Sequence, residues 1–190
     1  PLLRREVTEI KPTAGDALLA YVTQSGLKTE LLRAHEQHPE IRMDGFHSGA
    51  SVADQIIDDT LSFHAIDGHR FLEFMARCKA VVTTAGFESV CEAAYLGKPV
   101  MMIPQPNHYE QACNAIDGQR AGVGTASDVF ELDQLLAYLP KYDTQLSTHF
   151  RAWHGQGHFM FLAAINRAAT SSRSSSGGFF STRMRHLLRS

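Results

Sequence analysis

Gly86, Ser89 and Glu92 are spaced three apart in a stretch that reads VVTTAGFESVCEAAYLGKPVMMIPQPNHYEQACN from Val81 to Asn114. On a helix beginning just after Gly86, that spacing keeps all three toward one side. A glycine there lets a ligand come close to backbone N–H groups carrying a partial positive charge, which suits a phosphate. Thr84 places a hydroxyl beside it. Glu92, one to two turns further in, is a carboxylate able to accept hydrogen bonds from vicinal hydroxyls such as those of a ribose. Plainer readings stand beside these: Gly86 as the maker of a tight turn, and Ser89-x-x-Glu92 as a capping box, although a Ser–Glu pair inside a helix has little capping to do. Further on, Glu110-Gln111-x-x-Asn114 sets an acid and amides at the start of a second helix, where they are good receivers of sugar hydroxyls; Asn107 and Glu110 equally suit capping and dipole roles. His108 lies in the turn before them, either as a solvated residue or as part of a sugar site.

These residues need a scaffold that brings two strand–turn–helix units side by side. Lys79–Thr83 is the first strand, a helix runs from Gly86 to a stop at Gly97, Val100–Ile103 is the second strand, and a helix continues from the Pro104–His108 turn to about Arg120. This is how an open parallel sheet builds a phosphate and sugar site. Upstream, Asp16–Thr23 is of strand length and Leu27–His38 has helical periodicity before Pro39. Glu40–Met43 is a short strand candidate and residues 44–59 are turn-rich and acidic, a loop. Leu61–Ile66 is a further strand and His69–Cys78 a helix with Phe71, Leu72, Phe74 and Met75 as its apolar stripe. Downstream, Ala121–Gly124 turns into a short strand, and helices follow at Leu132–Leu139, Asp143–Trp153 and Phe159–Ala169, the last two parted by Gly155 and Gly157. The alternation predicts an α/β fold: a Rossmann-like parallel sheet with helices on both faces. Residues 1–15 read as a polar, extended interdomain linker, 16–169 as the binding domain, and 170–190 as a low-complexity basic tail, either disordered or a remnant of expression.

Composition narrows the function classes. The 190 residues are 44% hydrophobic and 20% charged with a net charge of −2, which points away from nucleic acid. Cys78, Cys91 and Cys113 form no C-x-x-C pair, so neither a disulfide framework nor a zinc knuckle is indicated and a reducing, cytoplasmic setting is expected. No apolar run approaches the roughly 20 residues that cross a bilayer, and PLLRREV lacks the apolar core of a signal peptide. A start at Pro1 suggests a piece of a longer protein. His154 and His158 are four apart, a metal-ligand spacing, but glycines lie between them and no third ligand is evident; no metal is expected.

The stretch resembles the C-terminal, donor-binding domain of GT-B glycosyltransferases, in the group that holds the UDP-GlcNAc transferase of peptidoglycan synthesis and the UDP-glycosyltransferases. The family pattern, approximately G-x-x-S/T-x-x-E-A-x-x-x-G-x-P, then P, then D/E-Q-x-x-N-A, then G-x-G, is met by Gly86, Ser89, Glu92, Ala93, Gly97, Pro99, Pro104, Glu110, Gln111, Asn114, Ala115, Gly122 and Gly124. PLLRREV resembles the interdomain linker and Thr23-Gln24-Ser25-Gly26 the first phosphate-side loop. The resemblance implies that Gln24, Ser25 and Gly26, with Thr84, Ala85, Gly86 and Phe87, face the donor diphosphate. Ser89 belongs to the same helix face, Glu92 holds the ribose, and backbone groups of Ala65 and Ile66 meet the base. Glu110, Gln111, Asn114 and His108 surround the transferred sugar. Many members carry His-Gly-Gly or His-Cys-Gly where this chain has Thr84-Ala85-Gly86, so one phosphate-side donor is missing.

The resemblance further implies a metal-independent, inverting transferase of a hexosyl group, with a UDP-sugar as substrate rather than cofactor. The acceptor site and catalytic base are expected in an N-terminal domain or separate subunit, through which a peripheral contact with the inner face of the membrane would be made. Alternatives on the same fold are a nucleotide-sugar hydrolase or 2-epimerase, and a non-catalytic donor-binding subunit of a split transferase.

Overall fold

The computed structural model of the protein describes residues 3–22, 25–49 and 54–181, with side chains described for all of these except Ser25 and 171–181. A seven-stranded sheet forms the centre, built from β1 (Leu18–Val22), β2 (Met43–His47), β3 (Gln55–Ile56), β4 (Leu61–Ala65), β5 (Ala80–Thr83), β6 (Val100–Met102) and β7 (Gly124–Ala126). Their order is β3-β4-β2-β1-β5-β6-β7, and every pairing is parallel except that of β3 with β4. The chain winds outward from β1 on one side, returns, and starts again at β5 beside β1. The seam between β1 and β5 is therefore the topological switch point, where open α/β sheets bind their ligands outside the carboxyl ends of the strands.

Alternation along the strands supplies two cores, as expected for a sheet covered on both faces. Leu18, Ala20, Val22, Ala80 and Val82 pack with Leu27 and Leu31 of α2 (Ser25–Gln37) and Leu132 and Leu135 of α6 (Leu132–Tyr138). Leu19 and Val81 face the other way. They meet Phe71, Leu72 and Met75 of α3 (Gly68–Arg77) together with Val90, Ala93 and Ala94 of α4 (Phe87–Leu96) and Ala115 of α5 (Tyr109–Arg120). The α/β Rossmann-like architecture expected from the alternation is the one observed.

Three local expectations give way. Residues 1–15 are not simply extended: Arg5–Glu9 forms α1, because Val7 is completely buried in the core beside α3 and α4 and an Arg5–Glu9 ion pair of 2.7 Å spans one turn. The strand expected at Glu40–Met43 begins only at Met43 and runs to His47, through residues read as loop. The misleading signal is Gly45, which serves packing and not a turn: a Cβ there would stand 2.6 Å from the ring of Phe63 on the paired strand. Finally, Gly155 and Gly157 break nothing. A single helix, α7, runs from Leu146 to Ser181 after a 3-10 turn at Leu139–Lys141, since a glycine costs a helix only about 1 kcal/mol relative to alanine. Residues 1–150 form one compact unit and 151–190 another. In the second, Phe159, Met160, Phe161, Leu162 and Ile165 are exposed, yet none of the described helices is long and apolar enough to cross a membrane.

Candidate functional site

A cleft of ≈ 620 Å³ opens at the switch point. It is lined by Tyr21 near the end of β1 and Phe71 of α3, by Ile66, Asp67 and Gly68 after β4, and by Gly86, Phe87, Glu88, Ser89 and Glu92 after β5. Glu110 of α5 and Arg4 of the N-terminal segment complete the lining. Of the residues singled out in the sequence, Ile66, Gly86, Phe87, Ser89, Glu92 and Glu110 are brought together here.

The β5–α4 junction positions Gly86. The chain reverses through a left-handed residue, but that residue is Ala85, with φ of 60°; Gly86 is the N-cap of α4 with an ordinary φ of −60°. A Cβ on Gly86 would meet no atom within 4 Å. Neither backbone conformation nor internal packing therefore requires glycine at this position, and the open space it leaves belongs to the cleft. The strained Ala85 is held by a hydrogen bond: Asn114 Nδ2 donates to its carbonyl at 3.0 Å. Thr84 is buried and Ala85 wholly so, and neither lines the cleft.

Glu92 lies on the inner side of α4, only 4% exposed. Both of its carboxylate oxygens are taken by Arg4, whose Nε donates to Oε1 at 2.6 Å and whose Nη2 donates to Oε2 at 2.8 Å. Arg4 Nη1 also donates to the Gly68 carbonyl at 3.0 Å. The hydrogen bond to Glu92 holds the guanidinium proton more firmly than usual, against the opposing effect of burial. Among the described residues Arg4 is the only cationic side chain lining the cleft, against Asp67, Glu88, Glu92 and Glu110. The positive end of the α4 dipole is thus the other source of attraction for an anion.

The second loop divides the residues expected around a sugar. Gln111 turns its side chain inward, accepting at Oε1 from the backbone N–H of Gln105 at 2.8 Å, so it braces the Pro104–His108 turn. His108 is the N-cap of α5 and accepts at Nδ1 from the Gln111 N–H, 3.3 Å away. It lines a separate depression with Pro104, Asn107 and Tyr109. Asn114 braces Ala85. Only Glu110 of this group reaches the main cleft.

Elsewhere, Ala65 ends β4 beside Ile66. Ser25 and Gly26 open α2; Gly26 does not line the cleft, and the Ser25 side chain and Gln24 lie outside what is described. Arg4, Tyr21, Asp67, Gly68, Phe71 and Glu88 also line the cleft without being expected there from the sequence. Only Asp67-Gly68 carried a local signal, as an N-cap: Asp67 Oδ1 accepts from the Arg70 N–H at 2.7 Å.

Behind the β4 wall, His64 is buried between two carboxylates, with Nε2 2.9 Å from Asp44 and Nδ1 2.9 Å from Asp54. Arg70 clasps Asp54 through both terminal nitrogens. Burial would lower the His64 pKa, but the hydrogen bonds to Asp44 and Asp54 outweigh it and the net shift is upward. Arg70 first, and then His64, hold Asp54 well below the usual carboxylate range. No group of three or more His, Cys, Asp or Glu among the described residues is arranged to hold a metal ion.

The family model described as glycosyl transferase family 1 matches residues 1–141. A curated relative, the UDP-N-acetylglucosamine--N-acetylmuramyl-(pentapeptide) pyrophosphoryl-undecaprenol N-acetylglucosamine transferase of Bartonella henselae, is 41% identical over 63 residues, covering 32% of this chain and 16% of that protein. Among solved structures, the glycosyltransferase of kitacinnamycin superposes with a TM-score of 0.56 at 16% identity, over 75% of this chain and 40% of its own. SnogD from Streptomyces nogalater gives 0.52 at 17% identity, over 80% and 42%. LpCGTa, solved in complex with UDP, gives 0.53 at 13% identity, over 77% and 38%. At these identities the structures carry the fold alone. The chain spans less than half the length of each.

Proposed function

Since the chain belongs to glycosyl transferase family 1, we propose that it is the donor-binding half of a metal-independent, inverting glycosyltransferase that moves a hexosyl group from a nucleoside diphosphate, with the cleft at the β1/β5 seam as the donor site. The observation that carries this reading is Gly86: a glycine at a helix N-cap which neither φ nor packing demands, facing an open cleft. A diphosphate approaching that backbone meets the first-turn N–H groups of α4, and their dipole stabilises the negative charge that develops on the leaving group. Glu92 receives the ribose hydroxyls, Ile66 borders the base, and Glu110 receives hydroxyls of the sugar. UDP is the expected nucleotide, in keeping with the UDP named for LpCGTa. The acceptor and the base that activates it belong to a preceding half, since each solved relative is more than twice as long as its matched part.

Calorimetry with UDP, GDP, TDP and their sugars tests the site. UDP is expected to bind, and Glu92→Gln to weaken it by roughly 1–3 kcal/mol through the loss of charge-assisted hydrogen bonds. Silence from every nucleotide at millimolar concentration would remove the donor-site reading.

A further inference from the structure

Arg4 occupies the position at Glu92 that the reading above gives to a ribose. Its Nε and Nη2 form a fork of two parallel donors, one to each carboxylate oxygen, at 2.6 and 2.8 Å. A vicinal diol presents the same thing, two neighbouring donors aimed at two oxygens. We propose that Arg4 is an internal competitor for the nucleoside, so that the cleft selects ligands bringing a vicinal diol and an anion together. This rests on the assignment of Glu92 to the ribose.

The Glu92 side chain is 5% exposed and Arg4 is its counter-ion. A diol replaces the hydrogen bonds of the guanidinium but not its charge, and a buried carboxylate stripped of its cation is strongly disfavoured. A neutral nucleoside therefore displaces Arg4 poorly. A nucleotide changes the balance. Arg4 is partly exposed, and its remaining tether is one hydrogen bond to the Gly68 carbonyl on the cleft wall. Across the same cleft stand Gly86 and the start of α4, where the phosphates lie in the donor reading. The displaced guanidinium then meets an anion without leaving the cleft, and its charge stays close enough to compensate Glu92. No other cationic side chain among the described residues lines the cleft to take either part. The sequence carried Arg4 only as linker; its distance of 88 positions from Glu92 hides the pair.

The test is a titration of the full chain, wild type and Arg4→Ala, with uridine and with UDP, followed by calorimetry or NMR shifts. With the competitor removed, uridine is expected to bind about tenfold tighter, the factor by which a site closed some nine-tenths of the time weakens its ligand. The preference for UDP over uridine should contract, because Arg4 no longer answers the phosphates. Arg4→Lys keeps the charge but has no fork, and is expected to bind uridine with intermediate affinity; it gives the reading if the alanine variant does not fold. Uridine binding that is unchanged or weaker in both variants, with wild-type UDP binding intact, overturns the competitor and leaves the donor site standing. A wild-type chain that binds no UDP overturns both.

Discussion

Asn114 donates its side-chain amide to the carbonyl of Ala85, 3.0 Å away and 29 positions earlier in the chain. The bond ties α5 to the one turn in the β5–α4 junction whose residue has a φ of 60°. An L-residue in that region is costly and persists only where its surroundings hold it. Asn114, expected from the resemblance to hold a sugar, here holds the turn from which Gly86 faces the cleft. Asn114→Ala is expected to lower stability by about 1 kcal/mol, the worth of a typical hydrogen bond, and to weaken UDP binding along with it. Urea denaturation and calorimetry on the same variant check the coupling. A variant with its stability lowered and its nucleotide affinity unchanged would show that the turn does not position the site.

Gly86→Ala separates ligand space from folding. The added Cβ meets no protein atom within 4 Å and the backbone is already compatible. Alanine is a poorer N-cap than glycine, while its stiffer unfolded chain favours folding. The two effects offset to within about 0.5 kcal/mol. UDP affinity is nevertheless expected to fall by roughly tenfold, or 1.4 kcal/mol, because the methyl group would stand where the proposed donor site receives the diphosphate. Equal affinity in the two proteins would mean that no ligand comes close to this backbone.

The His64 cluster sets a pH window. His64 titrates above its unfolded value of about 6.5, so its contribution to stability is complete below that value and is lost as pH rises through the folded pKa. Asp54 is shifted down, so its contribution is complete above about 3.9 and is lost as pH falls through its folded pKa. The two together are strongest between about pH 4 and 6.5. The stability difference between wild type and His64→Gln, measured by denaturant titration, is therefore expected to be larger at pH 5.5 than at pH 8. A difference that grows with pH would show that His64 is neutral in the fold.

Lys98 is buried, and its Nζ donates to the carbonyls of Thr13 at 2.6 Å and Cys78 at 2.8 Å. Lys98→Met fills similar space but leaves two acceptors unanswered. A loss of about 2 kcal/mol follows from the penalty for unsatisfied buried polar groups, seen as a lower urea midpoint.

Local order along the chain is enough to specify the parts that depend on sequence neighbours. The α4 helix from Phe87 to Leu96, its stop at the left-handed Gly97 and the strand after Pro99 are set by local backbone preferences. The alternation of units sets the parallel sheet with its two cores, and the motif from Gly86 to Gly124 led to the same family that the family model identifies. Where local signals misled, packing had overridden them: Gly45 gives room to Phe63 within a strand, and Val7 draws the first residues into a core.

Which polar residues share a cleft is settled by folding. Gln111 and Asn114 carry side chains as suitable for a sugar as that of Glu110, yet one braces Gln105 and the other Ala85, and only Glu110 lines the main cleft. Arg4 read as linker, and folding placed its guanidinium on Glu92. A side chain's type fixes which bonds it is able to make. Which of them it makes depends on the partner that folding brings within about 3 Å, and for Arg4, Gln111 and Asn114 that partner lies on another turn, helix or segment of the chain.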